Sequence, residues 1–170
     1  RRVLFRSQVI GSDGMLYLAG DFNHTIELGG KSESSENVTS IFVAKVSQNH
    51  EIIWLRKIRS TQYCNAASIA VDSGGDLFIA GTYCGEINQN GLNLRSEYRR
   101  NAFLIKLNHT GDIKWGVSLD GKFSCNNLMI ELNKAGEPLL AGSYKGMLRL
   151  NDQPFDSKFY FDVILIAFDK

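Results

Sequence analysis

Ile69–Tyr83 reads IAVDSGGDLFIAGTY. Two apolar runs, SIAVD at 68–72 and LFIAGTY at 77–83, flank the cluster Ser73-Gly74-Gly75-Asp76. Branched and aromatic runs bounded by Gly, Asp and Ser are strand signals, and glycine supplies the positive φ of a tight turn. The stretch therefore predicts a β-hairpin. It also has counterparts. GMLYLAG starts at Gly14, GDLFIAG at Gly75 and GEPLLAG at Gly136, which is a 61-residue period. IFVAKV at 41–46, AFLIKL at 102–107 and VILIAF at 163–168 keep the same spacing. So do Trp54 with Trp115, and Cys64-Asn65 with Cys125-Asn126. A long period made of short apolar runs predicts a modular β architecture, of which a propeller is the best fit.

The middle copy predicts four strands: 68–72, 77–83, 102–108 and 113–119, with a second tight turn at His109–Asp112. The second and third are apolar almost throughout, which means burial on both faces. The fourth alternates, with Ile113, Trp115, Val117 and Leu119 on one side and Lys114, Gly116 and Ser118 on the other, as a half-exposed strand does. Two prolines and no useful helical periodicity exclude helical repeats. The expected fold is all-β: a β-propeller fragment of antiparallel four-stranded blades with that 61-residue period, in an incomplete ring. The expected boundaries are a partial blade at 8–56, a blade at 57–121 and a partial blade at 122–170, all one propeller domain. HTIELGG at 24–30, GEINQNG at 85–91 and GMLRLND at 146–152, with Ile26, Ile87 and Leu148 in phase, predict a small extra hairpin that caps each blade edge.

Residues 1–7, RRVLFRS, look like a reading frame of a sequencing adapter, and the apolar pattern of the first strand starts only at Gln8. Without Arg1, Arg2 and Arg6 the chain has 16 Lys+Arg against 18 Asp+Glu, a balance of −2 rather than +1. That is no electrostatic footprint for nucleic acid. No apolar run is long enough to span a bilayer as a helix. A truncated blade array would expose two apolar faces, so these residues alone are expected to self-associate.

Candidate chemistry is sparse. His24, His50 and His109 fall in loops at different phases, without acidic or thiol neighbours at metal-ligand spacing. Asp72–Asp76 lacks the later Glu of an EF-hand, and Gly11 and Asn133 replace Asp72 in the other copies, so it reads as a turn. No catalytic, cofactor or metal residue is assigned. Trp54 and Trp115 are read as blade-to-blade packing. Cys64 and Cys84 flank the hairpin nearly opposite one another, so a disulfide and two buried thiols both remain open. Asn65, Tyr83, Asn126 and Tyr144 are expected on loops of a ligand-binding face. Asn23, Asn37 and Asn108 head glycosylation sequons.

Val71, Asp72, Gly75, Phe78, Ile79 and Gly81, followed by Phe103, Lys106, Leu107, Gly111 and Trp115, stand in a pattern that resembles the seven-bladed β-propeller repeat family often called SBBP. The resemblance covers Gln8 to Lys170. The third copy departs with Ala167 at the Lys position and Glu137-Pro138 at a strand entry, and the first departs with Asn49-His50 for Thr110-Gly111. The resemblance implies a secreted or cell-surface bacterial protein whose blades serve binding, adhesion or scaffolding. The implied partners are an unknown protein or glycan and further blades of the same chain. A second likeness, in Leu107, Gly111 and Trp115, is to pyrroloquinoline-quinone propeller enzymes. It implies a dehydrogenase-like enzyme with its active site on other blades. Those repeats are usually shorter, and such an enzyme needs a calcium-and-acid site that this sequence does not show.

Overall fold

The computed structural model describes residues 2–96, 100–150 and 153–168. The chain is all-β; among the described residues there is no helix. Strands β1 (Arg2–Ile10), β2 (Leu16–Asn23), β5 (Ser40–Val46) and β6 (Ile52–Ile58) form an antiparallel sheet in that order. Between β2 and β5 stands a small hairpin, β3 (Thr25–Leu28) with β4 (Lys31–Ser34). β7 (Tyr63–Val71), β8 (Leu77–Cys84) and β11 (Asn101–Leu107) repeat the pattern, with β9 (Glu86–Gln89) and β10 (Leu92–Arg95) as their hairpin. β12 (Ile113–Leu132), β13 (Pro138–Leu150) and β14 (Gln153–Ala167) complete a six-stranded sheet in the order β14-β13-β12-β11-β8-β7.

Alternation explains the fully apolar strands. Along β5, Ile41 and Val43 face one apolar layer while Phe42 and Ala44 face another. Along β11, Phe103 and Ile105 join the first of these layers, and Ala102 and Leu104 face a third. Each central strand is thus sandwiched, and period-two polarity has no place to appear. A side chain such as Phe103, with no exposed surface, contributes roughly 2–3 kcal/mol by leaving water. The layer between the first and second units takes Tyr17, Ala19, Ile41, Val43, Trp54 and Ile58 from the first. The layer between the second and third takes Phe78, Ala80, Ala102, Leu104, Trp115 and Leu119, the same positions one period further along.

The turns follow from their residues. Gly14, Gly75 and Gly136 have φ of 71°, 82° and 75°. The Asp72 carboxylate accepts the N–H groups of Gly74 and Asp76, and Asn133 does the same for Ala135 and Glu137. In the hairpins, Gly29-Gly30 and Asn90-Gly91 carry positive φ at both central positions, as a type I′ turn requires.

Four differences from the sequence reading stand out. β1 starts at Arg2, not Gln8, and pairs with β2 up to Arg2↔Asn23. The boundary expected near Lys122 lies inside β12, whose first part pairs with β11 up to Leu119 and whose second pairs with β13 from Asp120. Gly121, at φ 135°, marks this exchange of partners. In the third unit the extra hairpin is fused into β13 and β14, although Ile26, Ile87 and Leu148 are all buried. Its tip, Asn151-Asp152, lies outside the described residues. Finally, among the described residues the two expected open faces differ in degree, with Phe5 and Ile53 of the first sheet 55% and 45% exposed. Ile26 packs with Phe22, Phe42 and Leu55 on the outer side of the first sheet, while Val163 and Leu165 of β14 stay 83% and 71% exposed.

Candidate functional site

The tight turns gather at one end of the strands, where His109 N–H donates to Asp76 at 3.1 Å and Trp54 Nε1 donates to the His109 carbonyl at 3.1 Å. The inter-unit links lie at the other end, where Thr61 N–H bonds Glu86. At this link end the second and third units leave a cleft of about 220 Å³. Asn65, Thr82, Arg100, Asn126 and Asn127 line it. A bulge in β7 between Ala66 and Ser68, and another in β12 between Asn126 and Met129, pull the pairing apart there.

Asp21 faces the adjoining recess of about 170 Å³ and is 2% exposed. Its carboxylate accepts the Ala66 N–H at 2.8 Å and Asn65 Nδ2 at 3.0 Å. Arg6 Nε adds a third bond at 2.6 Å. Asn65 is thereby held by the neighbouring unit. Across the cleft Arg100 Nε donates to Thr82 Oγ1 at 3.2 Å, with its guanidinium 6.0 Å from the Tyr63 ring centre. The remaining guanidinium donors and the amides of Asn65 and Asn126 form a set suited to hydroxyl, carboxylate or carbonyl groups of a ligand.

The sequence-derived residues divide. Asn65 and Asn126 do line one cleft, but from strands rather than loops. Tyr83 and Tyr144 do not present a ligand face. They are 0% and 7% exposed, because both belong to the apolar layers. The Tyr83 hydroxyl donates to Ser118 Oγ at 2.9 Å. Burial pushes its pKa up, and Asp120 adds to this while Ser118 offsets part of it. Trp54 and Trp115 lie in the inter-unit layers, edge-on to Tyr17 and Phe78 at 6.2 and 6.1 Å. His24, His50 and His109 are exposed. Among the described residues no three His, Cys, Asp or Glu side chains converge as a metal site.

The cysteines are free thiols. The bulge beside Ser68 shifts the register so that Cys84 pairs with Tyr63 and Cys64 with Tyr83. A one-residue offset puts Cys64 and Cys84 on opposite faces of the sheet, and no bridge can form. Cys64 Sγ lies 3.2 Å from the Ile58 carbonyl, and Cys84 Sγ 2.9 Å from Gln62 Oε1. Burial pushes the Cys64 thiol up to about 12 and the Cys125 thiol up to about 11, with Arg100 holding the second back.

Asp21, Thr82 and Arg100 are additions that the sequence reading missed. A signal for the first two exists: Asp21, Thr82 and Ser143 each follow an Ala-Gly pair, a small polar residue inside an apolar strand. Among the described residues no helix is long and apolar enough to cross a membrane, which says nothing of crossing by strands. Neither known family models nor curated proteins give a match to this chain.

Proposed function

We propose that this chain is part of a β-propeller, its repeated units acting as blades of a non-catalytic module that binds, adheres or scaffolds at a cell surface or outside the cell. The observation that carries the reading is the pair of apolar layers filled from positions one sequence period apart. Tyr17, Val43 and Trp54 in one are answered by Phe78, Leu104 and Trp115 in the other. Units that bury both faces against like neighbours spend their interior on stacking, and leave the ends of the strands for recognition. The link-end cleft is the recognition site in this reading. Its ligand is a glycan or a polar protein segment, met by Asn65, Arg100 and Asn126.

An array of glycans and peptides probed with the purified chain tests this. Ligands of the cleft should lose roughly tenfold or more in affinity with Arg100→Ala or Asn126→Ala, the scale of losing a charge-assisted hydrogen bond. Binding that both substitutions leave untouched would overturn the assignment of the cleft. Turnover of a bound ligand would overturn the non-catalytic reading.

A further inference from the structure

We propose that the cleft between the second and third units binds the carboxylate of an acidic sugar residue, a uronic acid within a glycan. This rests on the cleft being the recognition site, and narrows its ligand from polar groups in general to one charged group.

The first junction supplies the template. There Asp21 of the first unit reaches across to the second, where Ala66 N–H donates to its carboxylate at 2.8 Å and Asn65 Nδ2 at 3.0 Å. One period on, the same places are held by Thr82 on the second unit and by Asn127 and Asn126 on the third. Thr82 offers a hydroxyl and no negative charge, so the second junction lacks the carboxylate that the first contains. The donor side is kept. Asn126 preserves the amide of Asn65, and Asn127 falls where β12 leaves its pairing with β13, between Asn126 and Met129, at a φ of 52°. A non-glycine residue in the left-handed region is strained, and such strain collects at ligand sites. The cleft also gains a cation. Arg100 stands where the first junction has Thr39, and its Nε donates to Thr82 Oγ1 at 3.2 Å. Among the described residues no carboxylate pairs with Arg100, while Arg6, which also borders the cleft, is already bound to Asp21. A ligand carboxylate in the place of Asp21 therefore completes the second junction, with Arg100 as its ion pair and Asn126 and Asn127 as further donors.

The rest of the lining matches hydroxyl groups. Asn65 has given its Nδ2 to Asp21, which leaves its Oδ1 to accept. Thr82 Oγ1 accepts from Arg100, which leaves its O–H to donate. A sugar ring meets both, because each of its hydroxyls donates and accepts. At about 220 Å³ the cleft falls below the roughly 300–1,000 Å³ of pockets for drug-sized ligands, which suits one ring.

The test titrates the full chain with methyl glucuronide and with methyl glucoside, followed by nuclear magnetic resonance. The two differ by the carboxylate alone. The proposal predicts saturable binding of the glucuronide, roughly tenfold or more tighter than the glucoside, the scale of a charge-assisted hydrogen bond. Arg100→Gln should erase that preference. Thr82→Asp should erase it too, since it restores an internal carboxylate and leaves every donor in place, whereas Thr82→Ser should keep it. Equal affinity for the two sugars, lost in Asn126→Ala, would overturn the carboxylate assignment and leave the recognition role of the cleft standing. Glucuronide binding that survives both Arg100→Gln and Asn126→Ala would overturn the two together. Absence of saturable glucuronide binding would sink the acidic sugar, and so would tighter binding of a Gly-Glu-Gly peptide, because the carboxylate would then belong to a protein segment.

Discussion

Asp21, on β2 of the first sheet, accepts the backbone N–H of Ala66, on β7 of the second, at 2.8 Å. One side chain thus fastens two units at the point where β7 bulges away from β8. β7 is the edge of its sheet, and the carboxylate supplies an acceptor for that buried N–H.

Replacing Asp21 by Ala should cost about 1–3 kcal/mol, because the buried Ala66 N–H loses its acceptor. Arg6→Ala should cost no more than about 1 kcal/mol, since the Arg6 side chain is 40% exposed and its ion pair is open to solvent. Urea unfolding of both variants checks the order. Equal losses would mean that the ion pair, not the backbone bond, fastens the units.

Gly81 has no room for a side chain. A β-carbon there would run into the Asn65 carbonyl oxygen and the ring of Phe103. Gly81→Ala should destabilise the chain by about 2–3 kcal/mol, the range of core overpacking. Gly91 has open space around it and a φ of 83°. Its replacement by Ala should cost only about 1 kcal/mol, from backbone strain alone. Thermal melts of the two variants side by side decide whether close approach or turn geometry dominates.

Thiol titration gives a pH signature. An unperturbed thiol loses its proton near about 8.5. Cys64 in the folded chain holds its proton to about 12 and Cys125 to about 11, chiefly through burial. Between those limits the unfolded chain has released protons that the folded chain keeps. Stability is therefore undiminished by these groups below about 8.5 and falls as the pH rises through the folded values. Buried tyrosines shift in the same direction, so the comparison must be made against a variant. Cys64→Ala should flatten the decline of the urea midpoint between pH 8 and 10 relative to the unsubstituted chain. An unchanged slope would contradict the assignment. Native protein at pH 8 should also resist a thiol reagent at all three cysteines, each 7% exposed or less, until it is unfolded.

Much of the strand plan was legible because each unit spells it again. Leu77–Tyr83 and Ala102–Leu107 are apolar on both faces, and their counterparts remove the ambiguity a single run would carry. Trp54 and Trp115 could be placed in packing for the same reason: they fall on the apolar side of an alternating strand. Register was not legible. The bulge between Ala66 and Ser68 has no spelling, so the near-opposition of Cys64 and Cys84 failed by one residue and with it the bridge. Tyr83 and Tyr144 looked like loop residues because they end strands next to Cys and Lys. Their rings are drawn inward by layers that the local sequence does not reveal. The cleft was half legible. Asn65 and Asn126 recur and were found, whereas Arg100 reaches it from a segment with no counterpart of its own charge in the other units.

Reading the parent gene outward past both ends tests the blade interpretation most directly. The account predicts further units of the same period, bringing the total to about six to eight, the range in which a propeller closes, behind an export signal. Units that stop at once, or that run on well beyond eight without a break, would contradict a closed ring and require an open β array in its place.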